Sequence, residues 1–210
     1  MPTVTALRPT RREGRISVHV DGSFVVAVGQ SFVVAHGLFV GLELSDEQLD
    51  GLRADAGADS VLTDAYRLLA HRARSRSELA ARLHAKGHDE RTVQGVLDRL
   101  SAEGLLDDRA FAAAFVADKR RLSGWGASRM GRELERLGVG REIVEALLPD
   151  TPEEAADELA RARAVLERRG PARPPLEPAR KRAFDHLVRR GFSTAVAYAA
   201  VREWSAAATD

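Results

Sequence analysis

The feature that most constrains the fold is a helical pattern that occurs three times along the chain and ends each time at a glycine. The glycines, about fifty residues apart, are Gly87, Gly138 and Gly191. A leucine lies four residues before each glycine and an apolar residue eight before it, at Leu83, Leu134, Leu187, Leu79, Met130 and Ala183. Apolar residues also recur after each glycine, at Val93, Ile143, Val196, Leu97, Leu147 and Ala200. Repeats of this length stack on their neighbours, so the pattern predicts a mainly α fold of tandem three-helix repeats in an elongated curved array.

Four segments follow from this pattern and from the composition of the first part of the chain. A small N-terminal module with a β-hairpin and short helices is predicted over residues 1–58. The three-helix repeats are predicted over 59–106, 107–150 and 151–210. Because the first module is too small to be stable alone, we expect it to pack on the helical part.

Alternating apolar residues predict strands in the N-terminal module. A first strand is predicted at Val4 to Leu7, and a hairpin turn at Asp21-Gly22, a pair that accepts positive φ. The strands on either side of the turn carry Ile16, Val18, Val20, Phe24, Val26 and Val28. Ser31 to His36 fits a strand or a short helix, and a helix capped by Ser31 and ended by Gly37 is favoured.

Capping residues mark the predicted helix starts. Ser45 and Gln48 have the spacing of a capping box, and Gly57 is predicted to end the helix that they begin. Ser75 and Glu78 repeat the same box. Further caps are predicted at Asp89, at Asp107 or Asp108, and at Thr151, which precedes Pro152 and Glu154.

Apolar stripes predict the buried sides of the later helices. One stripe consists of Phe111, Phe115 and Leu122, in a helix that the residues 124–126 interrupt. A second consists of Leu159, Ala162, Val165 and Leu166, and a third of Phe184, Leu187 and Val188. The proline-rich segment from Gly170 to Pro175 is predicted to be a loop ordered by packing.

Composition limits the class of protein. Hydrophobic residues make up 44% and charged residues 30%, as in soluble globular proteins. No apolar run approaches the roughly 20 residues that span a membrane, and the N-terminus lacks the pattern of a secretory signal. The absence of cysteine excludes disulfides and thiolate metal sites. A cytoplasmic location is therefore expected.

Basic residues are concentrated in two stretches, although the net charge is only +1. Residues 119–141 contain seven basic and two acidic residues, and residues 161–190 contain ten basic and three acidic ones. Such stripes suit a polyanionic partner, whereas for any single arginine a solvated helical surface is the better explanation. The candidate contacts are Lys119, Arg120, Arg121, Arg129, Arg132, Arg136, Lys181, Arg182 and Arg189.

One predicted helix carries an arginine row. Arg129, Arg132 and Arg136 have the spacing i, i+3 and i+7, which places them on one face. Met130 and Leu134 lie on another face, about 100° around the helix. The row therefore predicts an outward surface for phosphates or for an acidic protein. For the three cations at 119–121, stabilisation of a helix C-terminus is an alternative explanation.

No catalytic or cofactor site is predicted. The chain lacks the common glycine loops that hold phosphates and has no recognisable nucleophile triad. His84 and His88 have the spacing of a helical metal pair, but Gly87 should end the helix between them. Asp107 and Asp108 fit helix capping better than a divalent metal ion. Trp125 fits an anchor for an inter-helix turn better than a platform for a nucleobase.

Several segments together resemble the RecX family of bacterial regulators. They are Ala65-Tyr-Arg-Leu-Leu69, Arg74-Ser-Arg-Ser77-Glu78-Leu79, Leu83 with Lys86-Gly87, Val93 through Leu100, and Gly104-Leu105-Leu106-Asp107-Asp108-Arg-Ala-Phe111-Ala112. The helix with Leu134, Leu137 and Gly138 continues the match, which covers nearly the whole chain. The third unit matches mainly in pattern.

The resemblance implies a non-enzymatic protein of tandem three-helix repeats. Members of this family bind the filament that the RecA recombinase forms on DNA, lie in its groove, and suppress its ATPase, strand-exchange and coprotease activities. Some members also bind DNA weakly. The resemblance implies no cofactor, small-molecule substrate or membrane partner, and RecA as a partner rests on the resemblance alone.

Two other functions remain as alternatives at this point. A DNA-binding transcriptional regulator is possible because three-helix units resemble helix-turn-helix folds, and it would use the arginine row on a duplex. A metal-dependent hydrolase would use Asp107, Asp108 and a histidine.

Overall fold

The computed structural model describes residues 1–11, 14–170 and 176–207. The predicted proline-rich loop, apart from Gly170, lies outside the described residues. The fold is mostly helical, with tandem three-helix units that follow an N-terminal three-stranded antiparallel sheet, so the predicted fold class is confirmed.

The sheet consists of β1 (Val4–Pro9), β2 (Arg15–Val20) and β3 (Ser23–Gly29), in the order β1-β2-β3. Asp21 and Gly22 have φ values of 48° and 79°, so the predicted hairpin turn is confirmed. The register shifts between Val18 and His19, and the side chain of Phe24 at the start of β3 is 60% exposed. The alternation therefore predicts the strand correctly, whereas the bulge changes which side of the sheet Phe24 occupies.

Helix α1 (Gln30–Ala35) confirms the predicted short helix, but its capping residue differs. Ser31 is the second residue of the helix, and the N-cap position is Gly29, which makes no side-chain hydrogen bond. The predicted cap at Ser31 is therefore wrong, because β3 runs directly into α1 and leaves no turn there. Gly37, with a φ of +58°, follows the helix as predicted.

Helix α2 (Asp46–His71) begins at the predicted capping box but does not end at Gly57. The whole helix spans 26 residues and passes through Gly57, so the predicted helix end is wrong. The helix continues past Gly57 because apolar residues on both sides of this glycine are buried in hydrophobic cores. Leu49, Leu52 and Ala56 join the core of the sheet, while Val61 and Ala65 join the core of the first repeat. Since both halves are buried against different partners, the modest cost of a mid-helix glycine is outweighed.

The remaining helices of the first repeat are α3 (Arg76–His84) and α4 (Glu90–Ala102). The side chain of Asp89 accepts from the Thr92 amide at 2.9 Å, and the amide of Glu78 donates to the Ser75 hydroxyl at 3.1 Å, so both predicted caps are confirmed. Residues Leu79, Leu83, Val93 and Leu97 are fully buried, as the repeat pattern predicts.

The second repeat contains α5 (Asp108–Asp118), a π-helical turn (Lys119–Ser123), α6 (Ala127–Arg136) and α7 (Arg141–Leu147). The predicted stripe of α5 is only partly correct. Leu122 is 68% exposed, and the buried residues are Ala112 and Val116. The π-helical turn rotates the chain after Asp118, which takes Leu122 out of the stripe. In α7, Val144 is buried in place of the predicted Ile143 and Leu147, which pack only partly against the core.

The third repeat contains α8 (Pro152–Glu167), α9 (Leu176–Arg189) and α10 (Thr194–Ala206). Thr151 caps α8 as predicted, with its hydroxyl 3.3 Å from the Glu154 amide. The core contains the predicted residues Ala162, Val165, Leu166, Leu187, Val196, Ala200 and Val201. Val188 is 38% exposed, so its predicted place in the stripe is wrong.

The chain divides into two compact units. The first comprises Met1–Ala73 and Leu79–Leu106, and the second comprises Arg74–Glu78 and Asp107–Asp210. The sequence-based division into four segments stays a prediction. All contacts described below lie within one unit or the other.

Candidate partner-binding surface

Helix α6 presents Arg132 and Arg136 to solvent because its other face is fully buried. Met130 and Leu134 have no exposed surface, and Arg132 and Arg136 are exposed. Arg136 pairs with Glu133 at 2.9 Å, a contact within one helix turn that contributes little in water. Arg132 has no ion-pair partner in the part of the chain that the structure describes. These two side chains are therefore available to an external anion.

Arg129 begins the row but is held against Trp125. Its guanidinium carbon lies 3.9 Å from the centroid of the indole ring, and the Lys119 ammonium lies 4.8 Å from the same centroid. The ring of Phe115 meets Trp125 edge-on at 6.2 Å. Cation–π contacts of this kind restrain two cations beside one ring. The contacts favour Trp125 as an anchor for the turn, the simpler of its two interpretations.

The N-terminus of α6 is tied to the turn that follows α9. The Gly126 amide donates to the Arg190 carbonyl at 2.9 Å, and the Ser128 amide donates to the Gly191 carbonyl at 3.1 Å. A Cβ at Gly191 would lie 2.6 Å from the backbone nitrogen of Arg129. Only glycine permits this approach, so α6 and α9 are held in one arrangement.

This junction brings two basic rows together. The Arg129 guanidinium donates to the Arg189 carbonyl at 3.4 Å. On α9, Lys181, Arg182 and Arg189 are exposed, and Arg182 and Arg189 are seven residues apart, which places them on one face. Each row extends about 10 Å along its helix. We name the arginines of both rows the α6–α9 surface: the half-buried Arg129 and the exposed Arg132, Arg136, Arg182 and Arg189.

The three cations of the π-helical turn have different environments. Arg120 donates to a Glu154 carboxylate oxygen at 2.5 Å, and Arg161 donates to the same oxygen at 2.6 Å. Arg121 is exposed and pairs with Asp118 at 3.2 Å. Lys119 faces Trp125, as described above. Arg120 is therefore engaged inside the protein, while Arg121 lies on the surface.

The adjacent aspartates that begin α5 hold helix ends. Asp107 accepts from the Arg109 and Ala110 amides at 2.8 and 3.0 Å, which makes it the N-cap. Asp108 accepts from the Arg76 amide at 2.7 Å, at the start of α3. Among the residues that the structure describes, no group of three histidine, aspartate or glutamate side chains could hold a metal ion. Capping accounts for both carboxylates.

The two histidines near Gly87 bind different carboxylates. His84 pairs with Glu90 at 2.9 Å, and His88 pairs with Asp64 at 3.0 Å. Burial raises the pKa of Asp64, but hydrogen bonds from Lys86 and His88 outweigh this effect, and the pKa lies below its ordinary value. The left-handed Gly87 separates the two imidazoles, as the sequence predicts.

Arg190 and Glu158 are structural residues that the sequence interpretation did not single out. The Arg190 guanidinium donates to the Ser123 carbonyl and, from Nε, to Nε2 of His186 at 2.9 Å. Burial lowers the pKa of His186, and the charges of Arg169, Arg190 and Arg189 lower it further, so its imidazole accepts as the neutral form.

Glu158 is 7% exposed and accepts from the Ala127 amide. A sequence signal existed for it, since it lies on the stripe that continues through Ala162.

Comparisons with known proteins agree with this architecture. Family models described as the first and second three-helix domains of RecX match residues 62–100 and 107–148. The regulatory protein RecX of Geobacillus kaustophilus (strain HTA426) is 33% identical over 200 residues, which cover 91% of this chain and 73% of that protein. The chain belongs to the RecX family. The RecX of Halorhodospira halophila (strain DSM 244 / SL1) is 40% identical over 141 residues, with 67% of this chain and 85% of that protein covered.

Solved RecX structures share the fold. A crystal structure of regulatory protein RecX superposes with a TM-score of 0.67 at 22% identity and covers 97% of this chain and all of that one. The RecX crystal structure from Lactobacillus salivarius gives a TM-score of 0.62 at 18% identity, over 71% of this chain and 97% of that one. At these identities the likeness concerns the fold.

RecX membership gives the chain a regulatory role, since its curated relatives are named regulatory proteins. The first RecX model begins at Leu62, within α2, where that helix joins the core of the first repeat. The second model covers the α5–α7 repeat, and the α6–α9 surface extends from it into the third repeat. No helix of the described part of the chain is long and apolar enough to cross a membrane.

Proposed function

We propose that this RecX protein binds the RecA–DNA filament and inhibits its recombinase, ATPase and coprotease activities. The identity of the partner rests on the family resemblance. The observation that supports a polyanionic or acidic target is the α6–α9 surface, in which two basic rows meet where Arg129 contacts Arg189. Within this surface, we expect the exposed Arg132 and Arg136 in particular to contact the filament.

The proposed mechanism is steric and electrostatic. A filament presents DNA phosphates and protein surfaces in a regular array. Cations on rigid helices lose little conformational entropy when they bind such an array. One protein that occupied adjacent subunits would bridge them sterically. The contribution of exposed cations falls with ionic strength, so inhibition should weaken as salt is raised.

The test is RecA ATPase turnover on single-stranded DNA, with this protein titrated in at low and moderate salt. Inhibition near stoichiometric amounts is expected. An Arg132→Glu, Arg136→Glu variant should raise the midpoint of inhibition about tenfold, because reversing two contact charges removes on the order of 1–2 kcal/mol of binding. The matched control is Arg141→Glu, at an exposed arginine of α7 outside the surface. Undiminished ATPase turnover with excess wild-type protein would refute the proposal.

The same variants distinguish a DNA-binding transcriptional regulator. That function requires duplex binding that discriminates sequence, measured by salt-dependent gel shifts on operator-like and scrambled duplexes. We expect no discrimination between the duplexes. A specific shift that the Arg132→Glu, Arg136→Glu variant loses, without RecA inhibition by the wild type, would favour the regulator.

A further inference from the structure

The third repeat contains a groove that the α6–α9 surface does not include. It lies between α9 and α10, has a volume of 460 Å³, and is open to solvent. Val201, which is 6% exposed, forms part of its floor together with the half-buried Phe184. Tyr198 stands at the groove with 67% of its surface exposed. The groove therefore offers apolar surface that the described part of the chain leaves open to solvent.

Two cations border this apolar surface. Lys181 lies on the α9 side and Arg202 on the α10 side, and both are exposed. Neither has an ion-pair partner among residues 1–11, 14–170 and 176–207. Arg180 differs, since it donates to Ser205 at 2.9 Å and pairs with Glu177 at 2.8 Å. The groove thus presents one positive charge on each side that no carboxylate of the described residues neutralises.

We propose that this groove binds a peptide segment in which a large apolar side chain is flanked by carboxylates. The apolar side chain would lie against Val201, Phe184 and Tyr198, and burial of these surfaces would drive association. Flanking carboxylates would meet Lys181 and Arg202. This charge complementarity determines which apolar peptides are selected.

The surroundings favour a peptide over a nucleic acid strand. A strand requires cations that continue along its backbone, because each nucleotide adds a phosphate. Here the third bordering cation, Arg180, pairs with Glu177, so among the described residues only Lys181 and Arg202 present charges without an ion-pair partner. A short acidic peptide needs only the two cations.

The experiment uses the full chain and a fluorescein-labelled peptide with a core of two aspartates, one phenylalanine and two glutamates. Binding is followed by fluorescence anisotropy. Replacing the phenylalanine by alanine, or the four acids by lysines, should weaken binding at least about tenfold. A Lys181→Glu, Arg202→Glu variant should weaken binding of the original peptide by a similar factor, and so should Tyr198→Ala. The matched control, Arg141→Glu, changes an exposed arginine outside both the groove and the α6–α9 surface and should alter binding less than about twofold.

Melting temperatures of all variants establish that they fold, which is expected because the altered side chains are exposed. Equal binding of the phenylalanine and alanine peptides would overturn the proposal, since the attraction would then be only electrostatic. Absence of peptide binding would also overturn it, as would a thymidine oligonucleotide that binds through Tyr198 in place of the peptide. RecA takes no part in this test, so its outcome is independent of the filament proposal.

Discussion

The carboxylate of Glu158 accepts a hydrogen bond from the backbone amide of Ala127 at 2.7 Å, although 31 residues separate them. Asp108 makes the corresponding contact with the Arg76 amide, 32 residues earlier in the chain. In both cases an acid on the first helix of one repeat satisfies the first amide of the second helix in the preceding repeat. Helix N-termini have unpaired amides and attract negative charge, so the Glu158 contact links the second and third repeats within one compact unit.

We expect Glu158→Ala to reduce the free energy of unfolding by about 1–3 kcal/mol, because a nearly buried acceptor is removed and the Ala127 amide loses its partner. Glu158→Gln, which keeps an oxygen acceptor, should be less destabilising. Denaturant unfolding measures the difference. Glu135→Ala, at an exposed position of α6, is the control and should be nearly neutral. Equal stability of the two alanine variants would contradict the linking role.

Gly191→Ala should destabilise more than Gly87→Ala. The two glycines share a φ of +89°, so an alanine has the same backbone strain of about 1–2 kcal/mol at each. A Cβ at Gly87 would meet nothing within 4 Å, whereas one at Gly191 would collide with Arg129. The difference in unfolding free energy between the variants therefore measures the packing of the repeat junction. Equal unfolding free energies of the two variants would show that the turn after α9 can shift to accommodate the added Cβ without loss of stability.

Gly57→Ala should stabilise the protein by about 0.5–1 kcal/mol. Gly57 lies in the middle of α2, its φ is not positive, and a Cβ there would meet nothing within 4 Å. Alanine has the higher helix propensity and restricts the unfolded chain. Thermal unfolding provides the measurement, with Gly87→Ala as the opposing case. A lower melting temperature for Gly57→Ala would indicate that α2 is interrupted there after all.

Stability should decrease as the pH falls, in part because of His186. Its pKa in the folded protein is below the ordinary 6.5, so the unfolded chain binds the proton more readily. The free energy of unfolding therefore falls as the pH drops through about 6.5, and this contribution levels off below the folded pKa. His186→Gln keeps an acceptor for Arg190 without titrating, so its stability should fall less between pH 7.5 and pH 5. Parallel curves for the two proteins would exclude the histidine as a source of pH dependence.

The sequence was sufficient to predict features in which the interacting residues lie within one short stretch of the chain. The Asp21-Gly22 turn, the Ser45–Gln48 capping box and the Asp89 cap each depend on residues within a few positions of one another, and the sequence predicted all three. The predicted row Arg129, Arg132 and Arg136 followed from helix geometry alone, and whether these residues contact a partner stays a prediction.

Contacts between distant segments were not predictable in the same way. The sequence marked Gly57 as a helix end, but the apolar partners of both halves of α2 come from strands and helices elsewhere in the chain. It marked Leu122 as buried, but a π-helical turn changed the register after Asp118. It indicated Arg120 as a surface cation, but this side chain binds Glu154, which lies 34 residues away in the chain.

The sequence by itself therefore determined the helical repeats, their glycine ends and the two basic stretches, because helix periodicity and positive φ are local properties of the chain. Only the tertiary structure decided which charges are engaged internally and that the α6 and α9 rows meet. The meeting requires Gly191 to approach the backbone of Arg129 across 62 residues, and nothing in either segment specifies the other before the repeats pack.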